Sequence, residues 1–152
     1  MAAPALPTGG AVLPGTEARH APARVARWSL VALDAVVAVA AVFGGVGLYR
    51  DGMGMPNEWL DRTPFLDWRL PGVALLVLVA LPQLVAAVAL SVRARWAPGF
   101  ALLVGAALVG WIVVQVAVLQ QFHVMQPTIA AIGLVEALLA RHVRRAEHAP
   151  PS

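Results

Sequence analysis

Apolar residues in this chain fall into long blocks instead of alternating with polar ones. From Arg27 to Leu48 nearly every residue is apolar, a second block runs from Leu70 to Val92, and a third from Gly99 to Leu119. Each approaches or exceeds the roughly 20 residues that carry a helix across about 30 Å of hydrocarbon. A fourth block, Ile129 to Ala140, is short alone and becomes a span only when extended from Phe122 or Pro127. The alternative for it is a re-entrant or interfacial helix. The blocks predict spans over about 27–48, 70–92, 99–119 and 124–142. Residues 1–26, rich in Ala, Pro and Gly, read as a disordered cytoplasmic tail, and 144–152 as a second, short one.

The short connections favour antiparallel neighbours, so the expected fold is an all-α membrane protein, an up-down-up-down four-helix transmembrane bundle. The apolar loop between the first two spans is expected to form an extracytoplasmic cap. Within it, Thr63 before Pro64 reads as an N-cap, so the loop's second half is expected to turn helical there. Small residues four apart, at Ala101/Gly105, Ala106/Gly110 and Gly133/Ala137, would let helices approach closely. Pro82 is expected to kink the second span near mid-membrane.

Composition agrees with this picture. Of the 152 residues, 60% are hydrophobic and 12% charged, against about 45–50% and about 25% in an ordinary soluble domain. All eleven basic residues are arginine and there is no cysteine. The missing thiols exclude disulfides, thiol redox chemistry, cysteine zinc sites and cysteine-held iron–sulfur clusters. The arginines flank apolar blocks instead of forming a basic stripe with interleaved aromatics, which argues against nucleic acid as a partner.

Their distribution reads as orientation. Arg19, Arg24 and Arg27 precede the first span, Arg93 and Arg95 sit between the second and third, and Arg141, Arg144 and Arg145 follow the fourth. The positive-inside rule then puts both termini in the cytoplasm of a bacterial inner membrane. Trp28 and Trp96 would mark the inner interface, and Tyr49, Trp59 and Trp68 the outer one.

Ionisable residues inside a span are costly and usually face a cavity or another helix. Asp34 and Glu136 are of this kind, and counting along the helices puts them at similar depth, with Gln83 slightly deeper. Asp34 shares a face with Ala38, Ala41 and Gly45, and Glu136 with Gly133 and Ala140. One reading is an intramembrane polar cluster of Asp34, Gln83 and Glu136 that binds a proton, a cation or a ligand headgroup. The other is structural: interhelical hydrogen bonding, with Glu136 or Asp34 reaching toward inner arginines such as Arg27, Arg93 or Arg141.

A second polar set lies toward the outer side: Trp111 and Gln115 one helical turn apart, then His123, with Trp59 in the loop. These four are the candidates for lining a hydrophobic-ligand site. Met53, Met55, His123 and Met125 could in principle be soft copper ligands, yet methionines at an aromatic-rich interface more often pack. No metal site, cofactor or catalytic residue is assigned. Gly-rich phosphate loops, His-Glu-x-x-His and nucleophile elbows are absent from the sequence.

Gly44-Gly45, Gly54-Met55-Pro56, Thr63-Pro64-Phe65 with Trp68, Pro71-Gly72, Gly110-Trp111 and Gln126-Pro127 through Gly133 to Glu136 together resemble small bacterial four-helix membrane proteins grouped as DoxX-like. The resemblance covers about Arg27 to Arg145. It implies a lipid- or quinone-facing subunit, in some cases a membrane partner of a quinone-linked oxidoreductase complex, although no redox centre is recognisable in this chain. The leading expectation is a non-enzymatic binder of a lipid or quinone, or of a membrane protein partner or further copies of itself. The alternatives are a proton- or cation-coupled small transporter acting as an oligomer, and an oxidoreductase subunit.

Overall fold

The computed structural model describes residues 15–61, 63–119 and 125–148. Among these the chain is helical, with four long helices: α1 (Gly15–Asp51), α2 (Arg69–Ser91), α3 (Ala97–Leu119) and α4 (Met125–His148). Three helical stretches are long and apolar enough to cross a membrane: Ala23–Gly54, which runs from α1 into the turn after it, Arg69–Ser91 and Ala97–Ala117. The fourth helix falls short of that composition, because Arg141, Arg144, Arg145 and Glu147 follow only about twelve apolar-rich positions.

α1 begins at Gly15, inside the stretch read as a disordered tail. Extending an existing helix is far easier than nucleating one, and the Ala, Arg and Glu residues of 17–24 are good helix formers, although Pro22 among them is not. α4 likewise continues to His148, through residues 144–148 expected to lie in a tail. Glu147 at that end forms an ion pair with Arg27 of α1.

The helices pair through glycines. A Cβ on Gly72 would lie 2.7 Å from the Gly45 carbonyl oxygen, and one on Gly45 3.0 Å from that of Gly72, so α1 and α2 touch backbone to backbone. α3 and α4 do the same: a Cβ on Gly105 would sit 2.8 Å from the Ala137 nitrogen and 2.9 Å from the Gly133 oxygen. Without a strong hydrophobic drive between helices in lipid, such close van der Waals approach is a main source of association. Gly110 has open space around it, so the Ala106/Gly110 pair, also small and four apart, forms no such contact.

Pro82 distorts α2 without breaking it. Leu76–Ala80 form a π-turn, in which the Leu81 N–H bonds the Leu76 carbonyl five residues back. Pro82 has no N–H to give, so the extra residue is absorbed in the turn that precedes it. α2 ends in a Schellman motif: Ala94 N–H reaches the Ala89 carbonyl at 2.9 Å and Arg93 N–H that of Leu90 at 3.2 Å. Arg93 takes the left-handed position, φ 56°, more often held by glycine.

The α1–α2 connection is ordered by two short 3₁₀ turns, Gly52–Gly54 and Asn57–Leu60. The expected helix start at Thr63 is not formed. The Thr63 hydroxyl instead donates to the Leu60 carbonyl at 2.9 Å and accepts from Phe65 N–H at 3.2 Å, which makes a local turn, and α2 starts at Arg69 beside the accepting Asp67 carboxylate. Trp68, expected at an interface, is buried under Gly52. Gly52 has φ +67°, and a Cβ there would lie 2.7 Å from Trp68 Cδ1. Gly52→Ala should therefore lower stability by about 1–3 kcal/mol, read as a lower melting temperature in mild detergent with altered tryptophan fluorescence.

The outside of the helices is apolar. Val36, Val39, Phe43, Leu103 and Val113 are all more than half exposed, Phe43 at 79%. The interior holds two apolar layers. Leu30, Ala86, Leu90, Ala97, Ala101 and Ala140 form one; Val37, Ala41, Val79, Ala80 and Leu108 form the other.

Candidate functional site

Between these layers lies a polar one. Along α1, Asp34 falls between Leu30 and Val37; along α2, Gln83 falls between Ala80 and Ala86. Glu136 of α4 completes the group, and each of the three side chains is fully buried. The arrangement turns the membrane-protein norm into a specific site: apolar side chains face outward, and the ionisable ones are enclosed.

The Gln83 amide donates through Nε2 to Glu136 Oε2 at 2.9 Å. The Asp34 carboxyl faces that of Glu136. With both carboxyls ionised, no donor reaches either oxygen of Asp34, nor Oε1 of Glu136, and Oε1 of Gln83 has none either; a proton on one carboxyl would let it donate to the other. Five side-chain oxygens thus share this layer with one amide hydrogen bond among them, to Glu136 Oε2. α3 supplies no polar group here; its Gly105 permits the approach, since a Cβ there would meet Glu136 Cβ at 3.2 Å.

Arg27, the inner arginine of α1, is engaged elsewhere. Arg27 pairs with Glu147 and donates from Nη1 to the Leu90 carbonyl at 3.3 Å, binding the ends of α1, α2 and α4 together. The other ion pair among the described residues is Arg69–Asp67, at 4.0 Å on the surface. Of the structural alternative, one interhelical hydrogen bond forms, Gln83 to Glu136, while no ion pair among the described residues joins an arginine to Asp34 or Glu136. An uncompensated carboxylate in a low-dielectric interior costs several kcal/mol. Such a site demands a proton or a cation.

The outer candidates are not gathered in the same way. Trp111 is half-buried and packs against the second apolar layer beside Ile129 and Ile132, which is a packing position. Gln115 is half-buried one turn further along α3. Trp59 belongs to the Asn57–Leu60 turn of the connection and is 36% exposed. His123 lies outside the described residues. The described residues contain no group of three or more His, Cys, Asp or Glu side chains placed to hold a metal ion.

Two clefts flank the polar layer. One of about 530 Å³ opens between α1 and α4, lined by Leu33, Pro127, Thr128, Ala131, Ile132 and Val135. The other, about 180 Å³, lies between α2 and α3, with Pro82, Gln83, Phe100 and Leu103 among its walls. Sequence reasoning did not anticipate either cleft, although Pro82 marks the second. Comparison with protein-family models, with curated proteins and with solved structures returns no match.

Proposed function

We propose that the chain is a small multi-pass membrane protein that takes up a proton or a cation at Asp34, Gln83 and Glu136 and couples this to transport. The observation that carries the reading is the set of four buried, donor-free oxygens between two apolar layers. A structural polar layer would satisfy its own groups, because an unpaired buried polar atom lowers stability by about 1–3 kcal/mol. Here Gln83 Oε1 stays open, and the carboxyl pair closes on itself only by holding a proton.

The proposal includes a four-helix transmembrane bundle with both termini in the cytoplasm of a bacterial inner membrane. The arginines at both ends and at Arg93–Arg95 support that orientation through the positive-inside rule. α4 completes the bundle in this reading by packing its Gly133 face on α3, which shields its short apolar stretch. Function as an oligomer follows the small size of the chain.

In proteoliposomes carrying an imposed pH gradient, the protein is expected to mediate proton or cation flux. Glu136→Gln should abolish the flux while helix content remains that of the parent. Unchanged flux in this variant would remove the proposal.

A second reading has its own support. The α1–α4 cleft is large and apolar enough for a lipid chain or a quinone tail, in line with the DoxX-like resemblance. It favours a ligand-binding subunit whose site is that groove. A lipid or quinone retained through purification, and lost when Ala131 is enlarged to Phe, would support it.

A further inference from the structure

The α2–α3 cleft adds something the cation site alone does not imply. Its walls are the apolar side chains of Leu78, Leu103, Ala107 and Leu108 with Phe100, and Pro82 and Gln83 complete the lining. Leu78, Leu103 and Ala107 are exposed, so in a membrane this cleft faces lipid. About 180 Å³ is room for a group of benzene's size, since an engineered cavity of about 150 Å³ accepts benzene itself.

Gln83 separates this cleft from the carboxyl pair. Its side chain is fully buried, held by one hydrogen bond to Glu136, and its Oε1 has no donor. Within this layer the polar atoms without partners are oxygens: two on Asp34, one on Gln83, one on Glu136; the other unpartnered buried polar atom among the described residues, Trp68 Nε1, belongs to the α1–α2 connection. These oxygens ask for hydrogen-bond donors and positive charge, and they offer a ligand no donor in return apart from the amide already bonded to Glu136. Asp34, Gln83 and Glu136 are all fully buried. A hydrated metal ion would have to shed its water against apolar walls, whereas an amine that partitions into lipid meets a fitting apolar slot on its way in.

Resting on the proposed cation site, we infer that its substrate class is the lipophilic ammonium ion: an apolar body of about benzene's size seated between α2 and α3, with its N–H groups directed past Pro82 to Gln83 Oε1 and the Asp34–Glu136 carboxyls. A rotamer change of Gln83 joins slot and carboxyls. Charge complementarity selects ammonium over an anion or a neutral hydrocarbon, and the slot selects an organic ammonium over a bare alkali ion.

The test is titration of the full-length protein in lipid nanodiscs with benzylammonium, sodium and toluene. Saturable benzylammonium binding is expected, weakened at least tenfold in Asp34→Asn. Ala107→Trp fills the slot from its exposed wall without touching the carboxyls, and should weaken benzylammonium equally. Undiminished binding in Ala107→Trp would overturn the slot. Sodium binding without benzylammonium binding would overturn the substrate class and leave the cation site standing. Toluene binding as well as benzylammonium, indifferent to Asp34→Asn, would reduce the feature to an apolar cleft and overturn the inference. Failure of both cations to bind would overturn the inference and the cation site with it.

Discussion

Gly105→Val is expected to force α3 and α4 apart and to lower stability by about 2–3 kcal/mol. The reason is geometric. The first added carbon already lies 2.8 Å from the Ala137 backbone nitrogen and 2.9 Å from the Gly133 carbonyl oxygen. Neither atom can move without its helix, unlike the end of a flexible side chain. Gly133 offers no slack, since a Cβ there would lie 2.9 Å from the Gly105 oxygen. The same contact positions Glu136, so displacement of α4 would also pull its carboxyl from Gln83. Gly110→Val provides the control: that glycine meets nothing within 4 Å, and its melting temperature in detergent should stay within error of the parent. A Gly105→Val protein that melts with the parent would mean that the two helices are not held backbone to backbone.

Asp34→Asn should do two opposite things. The asparagine amide supplies donors to a layer of acceptors and removes one carboxyl from the pair, so stability should rise by about 1–3 kcal/mol, in line with the gain often found when uncompensated buried ionic groups are replaced. Flux should be lost. Gain of stability with loss of activity is the mark of a site kept at a structural cost. If Asp34 instead served packing or an unseen ion pair, the variant would melt lower and keep its flux. Gln83→Leu separates the roles further: it removes the donor to Glu136 Oε2 and should destabilise by about 1–3 kcal/mol.

Much of this was legible from residue spacing. The period of α1 places Asp34 with Ala38, Ala41 and Gly45, and all four are buried. Counting depth along the chain brought Asp34 and Glu136 to similar depth with Gln83 slightly deeper, and the structure joins Gln83 to Glu136. Periodicity also located Gly105 and Gly133, though it could not tell them from Gly110, because the partner surface decides which small residue is used. Other features depend on geometry that spacing does not encode. The π-turn at Leu76–Ala80 shifts the rotational register of α2 by an extra residue, so Gln83's direction could not be read from an ideal helix. Trp68 is buried because Gly52 takes a left-handed conformation that leaves room for the indole. Arg27 has a carbonyl and a carboxylate within reach at the helix ends, and nothing in its spacing says that it prefers these to Asp34.

The most direct measurement is proton release when a cation is added to the protein in weakly buffered nanodiscs, followed with a pH-indicating dye. If Asp34 and Glu136 form an exchangeable site, benzylammonium or sodium displaces protons from the parent protein in a saturable manner, and Asp34→Asn and Glu136→Gln release none. Absence of release from a parent protein that is folded and free of bound cations, or equal release from all three proteins, would contradict the account.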